Sequence, residues 1–153
     1  MAEAQQFCTF FLEGLFFGIE VEKVQEVIRY QEMTHVPLAP SVVGGLINLR
    51  GQIVTAVDMR RRLGLSERPK DQLPMNVVVR TEDGAVSLLV DEIGDVLETE
   101  EESFERPPET LRGEARELIR GVYKLKGQLL LILDTDKALN EVSADGMGAK
   151  ESK

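Results

Sequence analysis

Apolar residues in this chain come in short runs. Examples are FCTFFL (7–12), MNVVVR (75–80) and VSLLV (86–90), broken by turn-forming residues at Glu13-Gly14, Pro37 to Pro40, Arg68 to Pro74, Glu82 to Gly84 and Arg106 to Glu109. Short apolar or alternating runs between such breaks predict strands, since helices need longer stretches of 3.6-residue periodicity. That periodicity is faint and confined to the surroundings of Glu109 to Leu118. Roughly six to ten short strands at this spacing predict an all-β barrel or sandwich.

One phrase occurs twice. NLRGQIVTAVD (48–58) returns 76 positions later as KLKGQLLLILD (124–134). Aligned without gaps, Gly45 to Leu63 and Gly121 to Leu139 share Gly45/Gly121, Leu49/Leu125, Gly51/Gly127, Gln52/Gln128, Asp58/Asp134 and Leu63/Leu139, with Arg50 facing Lys126. Each copy predicts a hairpin, because glycine accepts the positive φ of a tight reversal and both flanks are apolar or alternating. Asp58 and Asp134 then stand where a carboxylate caps a short helix, over MRRRLGL and TDKALNE. A fainter repeat lies upstream: FGIEVEKVQEVI (17–28) on VSLLVDEIGDVL (86–97) sets Val24 on Ile93, Glu26 on Asp95 and Val27 on Val96. Each half therefore reads as strand, acidic turn, strand, connector, hairpin, helical turn. Units of about 60–70 residues bury too little surface to be stable alone, so the two are expected to share a core.

Composition narrows the function classes. Hydrophobic residues at 42% and charged residues at 29% exclude a disordered chain, and 153 residues suit one domain. A net charge of −9 repels phosphate backbones, so no nucleic-acid partner is expected. Cys8 is the only cysteine. It permits no intramolecular disulfide, fits a reducing compartment, and in QFCTFFL reads as a buried strand position rather than a nucleophile. The longest apolar stretch, Leu129 to Leu133, is far below the roughly 18 residues that span a bilayer, and MAEAQQ carries no basic leader. A cytoplasmic location without direct membrane insertion is expected, as is a flexible tail over 143–153.

Catalytic chemistry lacks its residues. His35 is the only histidine, beside prolines, so a two-histidine zinc site cannot be assembled. No phosphate-cradling glycine motif is present. The acidic block ETEEESFE (98–105) reads as a solvated loop, and Arg60, Arg61 and Arg62 as a solvated helical face. The expectation is no enzyme activity, no cofactor, no metal and no catalytic residue.

EKVQEVIRY and PSVVGGLINLRGQIVTAVDMRRRLGL, within residues 22 to 65, resemble the CheW family of bacterial chemotaxis coupling proteins. The likeness continues through FCTFFLEGLFFGIEVEKV (7–24), LLVDEIGDVLE (88–98) and LIRGVYKLKGQLLLILDTDKAL (118–139), so it covers nearly the whole chain except the tail. The resemblance implies two SH3-like five-stranded β-barrel subdomains related by an approximate twofold, with short helical turns and an apolar seam between them. It implies a single domain over 1–142, its subdomains roughly 15–80 and 81–139, with the strand 7–12 open to being shared. It further implies a non-enzymatic adaptor joining the cytoplasmic tips of methyl-accepting chemoreceptors to the regulatory domain of the histidine kinase CheA, in membrane-associated receptor arrays. A CheW-like adaptor of a non-flagellar chemosensory pathway, or a detached CheA regulatory domain, would carry the same resemblance.

Residues carried over from the family's motifs are Glu26 and Arg50 for partner binding, close enough to pair, and the apolar Val24, Ile93 and Val96 as receptor-contacting positions. Met33 and Gly45 match positions on the kinase side. Plainer readings stand beside these: Arg50 as a solvated hairpin residue, Glu26 as a surface strand residue, Val24 and Val96 as core.

Overall fold

The computed structural model describes residues 4–100, 103–109, 111 and 113–139. Twelve strands account for most of it: β1 (Ala4–Leu12), β2 (Leu15–Glu20), β3 (Val24–Ile28), β4 (Val43–Leu49), β5 (Gln52–Asp58), β6 (Met75–Thr81), β7 (Gly84–Val90), β8 (Glu92–Ile93), β9 (Leu97–Glu100), β10 (Phe104–Glu105), β11 (Ile119–Leu125) and β12 (Gln128–Leu133). Short helices are α1 (Met59–Arg62), α2 (Gly113–Leu118) and a turn over 135–139. Asp58 caps α1 by accepting from the Arg60 amide at 3.1 Å, and Asp134 accepts from the Lys137 amide at 3.1 Å, so the duplicated aspartate performs one task twice.

The strands form two sheets. One runs β3-β6-β7-β5-β4; the other runs β10-β11-β12-β2-β1-β8, with β9 also on β1. The first has the expected five strands and the second has seven. Register reproduces the repeat. Val24 pairs with Val79 as Ile93 pairs with Phe10, and Thr55 pairs with Val86 as Leu131 pairs with Phe17, at the same spacings in both halves. The expected split into 15–80 and 81–139 does not follow sheet membership. β6–β7 (75–90) completes the sheet of β3, β4 and β5, while β1–β2 (4–20) completes the sheet built from the C-terminal strands. Each half lends its first hairpin to the other, because the parallel pairs β5–β7 and β12–β2 cannot be made by adjacent strands without a long crossover. The expected domain end at 142 and the tail 143–153 lie outside the described residues.

Side-chain alternation divides the interior into three clusters. Phe10, Phe17, Ile19 and Leu133 of one sheet meet Val57, Val77, Val79, Leu88 and Val90 of the other in a common seam. The opposite faces bury smaller private clusters, Ile47, Val54, Ala56, Val78 and Leu89 in one sheet and Phe7, Phe16, Tyr123, Leu130 and Ile132 in the other. The repeat partners Val54/Leu130 and Ala56/Ile132 hold matching places in the two private clusters.

The shared glycines have a steric cause. The β4–β5 register shifts between Val43 and Gly45, and the β11–β12 register between Ile119 and Gly121. An upstream segment crosses each of these bulges. A Cβ on Gly45 would lie 2.9 Å from Met33 Cβ and 2.9 Å from the Thr34 carbonyl oxygen; one on Gly121 would lie 2.2 Å from Phe104 Cζ and 2.6 Å from the Glu105 carbonyl oxygen. Thr34 bridges Leu46 just as Glu105 pairs with Val122, which extends the internal symmetry to Met33-Thr34 and Phe104-Glu105.

The expectation that Arg60, Arg61 and Arg62 form a solvated face holds for Arg61 alone. Arg60 is 7% exposed: its Nε donates to Asp91 Oδ1 at 3.0 Å, its Nη2 to Oδ2 at 2.5 Å, and its Nη1 to the Ser66 and Glu67 carbonyls at 3.2 Å. Arg68 Nε donates to Asp91 Oδ1 at 2.9 Å, and the Glu13 amide to Oδ2 at 2.8 Å. The cluster ties the β1–β2 turn, α1 and the end of β7 together across the seam. Arg62 is half-buried and donates from Nε to the carbonyl of Ala138, its own repeat partner, at 2.7 Å. Binary patterning marks arginine as exposed, and only the topology supplies these acceptors. Burial by itself would raise the Asp91 pKa, but hydrogen bonds from Arg60, the Glu13 amide and Arg68 outweigh it and hold the carboxyl below its ordinary range.

Gly45→Ala and Gly121→Ala are each expected to cost about 1–3 kcal/mol in urea unfolding, because crossing backbone must shift to admit a methyl group. Asp91→Asn removes the carboxylate that Arg60 and Arg68 share, leaving Asp58 as the remaining ion-pair partner of Arg68, and should cost about 3 kcal/mol. Because the folded pKa is depressed, the stabilisation from Asp91 is complete above its unfolded value of about 3.9 and is lost as pH falls through the folded value. Urea midpoints across an acid series should therefore fall less steeply in Asp91→Asn than in the parent chain.

Candidate functional site

Along β3 exposure alternates, with Gln25 and Val27 exposed and Val24, Glu26 and Ile28 half-buried. Arg50 begins the two-residue turn of the β4–β5 hairpin. Its φ of 52° and the 91° of Gly51 are both left-handed, the pattern of a type I′ reversal, and Asn48 Oδ1 accepts from the Gly51 amide at 2.8 Å. The Arg50 guanidinium thus projects from a conformation that a side chain adopts reluctantly.

That guanidinium engages Glu26 with both arms, Nη1 to Oε1 at 3.1 Å and Nη2 to Oε2 more closely. Gln25 Nε2 adds a bond to Oε2 at 3.3 Å. Hydrogen bonds from Arg50 and then Gln25 hold the Glu26 carboxyl below its ordinary range, and the same pairing raises the Arg50 pKa. β3 and β4 stand at opposite ends of the sheet order, so a direct pair between Glu26 and the β4–β5 turn requires the sheet to curl and bring its edges toward each other. The Thr34–Leu46 bridge joins the connector after β3 to β4 in backbone, with both hydrogen bonds at 2.8 Å. The Arg50 side chain is 66% exposed, which leaves part of the guanidinium facing solvent.

The other candidates divide by sheet and by burial. Met33 packs on the private cluster of Ile47 and Val54 and covers the buried Gly45, so these two residues touch and brace the barrel wall. Val24 and Ile93, repeat partners on different sheets, both rest half-buried on the seam. Val96 lies on the second sheet at the corner between β8 and β9, 57% exposed. The counterparts of Glu26 and Arg50, Asp95 and Lys126, form no ion pair among the described residues. Cys8 is half-buried, and burial pushes its thiol pKa up, away from nucleophilic use. Among the described residues no group of three or more His, Cys, Asp or Glu is disposed to hold a metal ion, and no helix is long and apolar enough to cross a membrane.

Two residues escaped the sequence reading. Ile53 is 64% and Leu129 39% exposed, and they occupy the same repeat position, one residue beyond the shared Gly-Gln. Leu129 joins Leu15, Phe16, Pro108 and Leu111 in lining an apolar depression, and Ile53 borders a mixed one with Met33, Leu46 and Ile47 beside the polar Gln31, Glu32 and Asn48. Alternation along the hairpin strand carried the signal: with Val54 and Leu130 inward, Ile53 and Leu129 must face outward.

The chain matches the family model of the CheW-like domain over residues 6–143. It is 30% identical over 139 residues to the chemotaxis protein CheW of Treponema pallidum (strain Nichols), covering 88% of this chain and 82% of that one. It is 29% identical over 140 residues to the chemotaxis protein CheW of Bacillus subtilis (strain 168), covering 92% and 90%. The fold matches the crystal structure of the scaffolding protein TtCheW from Thermoanaerobacter tengcongensis with a TM-score of 0.76 at 26% identity, covering 86% of this chain and 89% of that one.

Substitution by lysine separates the two valines. Val24→Lys should lower stability by about 1–2 kcal/mol because the seam loses an apolar contact, whereas Val96→Lys should stay within about 0.5 kcal/mol of the parent, as measured by urea unfolding.

Proposed function

The chain belongs to the CheW-like family, and from that premise we propose that it is a non-enzymatic chemotaxis adaptor that couples the cytoplasmic tips of chemoreceptors to the regulatory domain of the histidine kinase CheA. The observation that carries this reading is the pair Ile53 and Leu129, large apolar side chains left in water at one repeat position on each sheet. Exposed apolar anchors set among polar residues are the composition of a docking face, and a chain with two such faces joins a partner at each end. The Glu26–Arg50 pair supplies the charge that fixes register against a third protein, with Val24, Ile93 and Val96 as apolar neighbours for the receptor tip. Met33 and Gly45 belong to the kinase side as the support beneath the Ile53 face. The adaptor works in the cytoplasm, recruited to membrane-associated receptor arrays, and a net charge of −9 keeps it from nucleic acid.

Pull-downs with a soluble receptor cytoplasmic fragment and with the CheA regulatory domain test this. Arg50→Glu reverses the exposed charge and should reduce receptor capture about tenfold while melting stays close to the parent chain. Ile53→Glu and Leu129→Glu should each reduce capture of the kinase domain. Unchanged capture of both partners by all three variants would sink the adaptor reading.

A further inference from the structure

β8 and β9 are one edge strand with an interruption. Ile93 pairs with Phe10 and Leu97 with Phe7, so Gly94, Asp95 and Val96 face only Cys8 and Thr9, one residue in excess. This is a bulge, a device that re-aims a side chain. Thr9 secures it twice. Its carbonyl accepts from the Gly94 amide at 2.8 Å, and its hydroxyl donates to the Asp95 carbonyl at 2.5 Å. Thr9 is 1% exposed, and the backbone carbonyl of Asp95 is the acceptor for its hydroxyl. The hydroxyl occupies the space a side chain at position 94 would need: a Cβ there would lie 2.4 Å from Thr9 Oγ1, so glycine and threonine fit only together.

The other half of the molecule provides an internal control. Thr9 corresponds to Val78, which is fully buried and carries no hydroxyl, and Val96 corresponds to Val27. There the register also shifts, between Val24 and Glu26, but β3 continues through Ile28 without a break and Val27 is 38% exposed against 57% for Val96. The threonine accompanies the half in which the strand opens and the valine stands further out. We infer that Thr9 is a positioning residue for partner binding: its buried hydroxyl holds the 94–96 bulge open and so presents the exposed Val96 to the receptor's cytoplasmic tip. The inference rests on the reading of Val96 as a receptor contact.

The full chain carrying Thr9→Val, Thr9→Ser or Val96→Lys is titrated with a soluble chemoreceptor cytoplasmic fragment, with melting and amide hydrogen exchange measured on each variant. Thr9→Val should weaken binding about 2- to 10-fold, the span of one hydrogen bond, and speed exchange at 94–97 while melting holds; Thr9→Ser should restore both. If Thr9→Val does not fold, Gly94→Ala, which presses a methyl against the same hydroxyl, is measured instead, with weakened binding and faster exchange at 94–97 expected together with a lowered melting temperature. Parent-like binding by Thr9→Val, alongside weakened binding by Val96→Lys, would overturn the positioning role and leave the contact standing. Equal losses in the valine and serine variants would assign the effect to packing and overturn it as well. Parent-like binding by Val96→Lys would remove the receptor contact itself.

Discussion

Neither sheet can be completed from one half of the chain. The parallel pairs β5–β7 and β12–β2 draw a hairpin from each half into the other sheet, so burial of the seam and completion of both sheets occur together. A half-molecule would leave the seam face of its sheet in water and an edge without its neighbour, and a unit of that size has little other surface to bury. This obligation keeps the exposed Ile53 and Leu129 surfaces on one body. It also explains why the largest apolar cluster lies between the sheets rather than inside either one.

Much of this was legible in the chain. The repeat at fixed spacing revealed two related units, the shared aspartates their helical caps, and the alignment of Val24 on Ile93 a register that the sheets reproduce. The hairpin exchange was not legible, because local pattern marks strands without naming their neighbours, and the notion of two consecutive subdomains followed from sequence order alone. The reason for Gly45 and Gly121 was hidden for the same cause: Met33 and Phe104, which cover them, share no residue type that an alignment could match. Arg60 misled because its acceptors come from two other elements.

In the candidate site, Glu26 and Arg50 were paired correctly from their motif, while the burial of Val24, Ile93 and Gly45 and the exposure of Ile53 and Leu129 depend on which face of a curled sheet each residue occupies. The halves have also diverged at the candidate positions. Glu26 and Arg50 are joined whereas Asp95 and Lys126 form no ion pair among the described residues, and the buried Arg60 and Asp91 have the exposed Asp136 and Glu22 as their counterparts. Duplication supplied two equal surfaces, and these charge differences make them unequal.

The N-terminal hairpin has a particular fate during translation. Phe17 leaves the ribosome long before Leu131, the residue it pairs with in the parallel β12–β2 contact. At elongation rates of about 5–20 residues per second the wait is on the order of 6–20 s. Throughout that interval Phe7, Phe10, Phe16 and Phe17, all buried in the finished fold, belong to a nascent chain with no C-terminal strands to receive them, so this hairpin exposes apolar surface to the surrounding solution until synthesis is nearly complete.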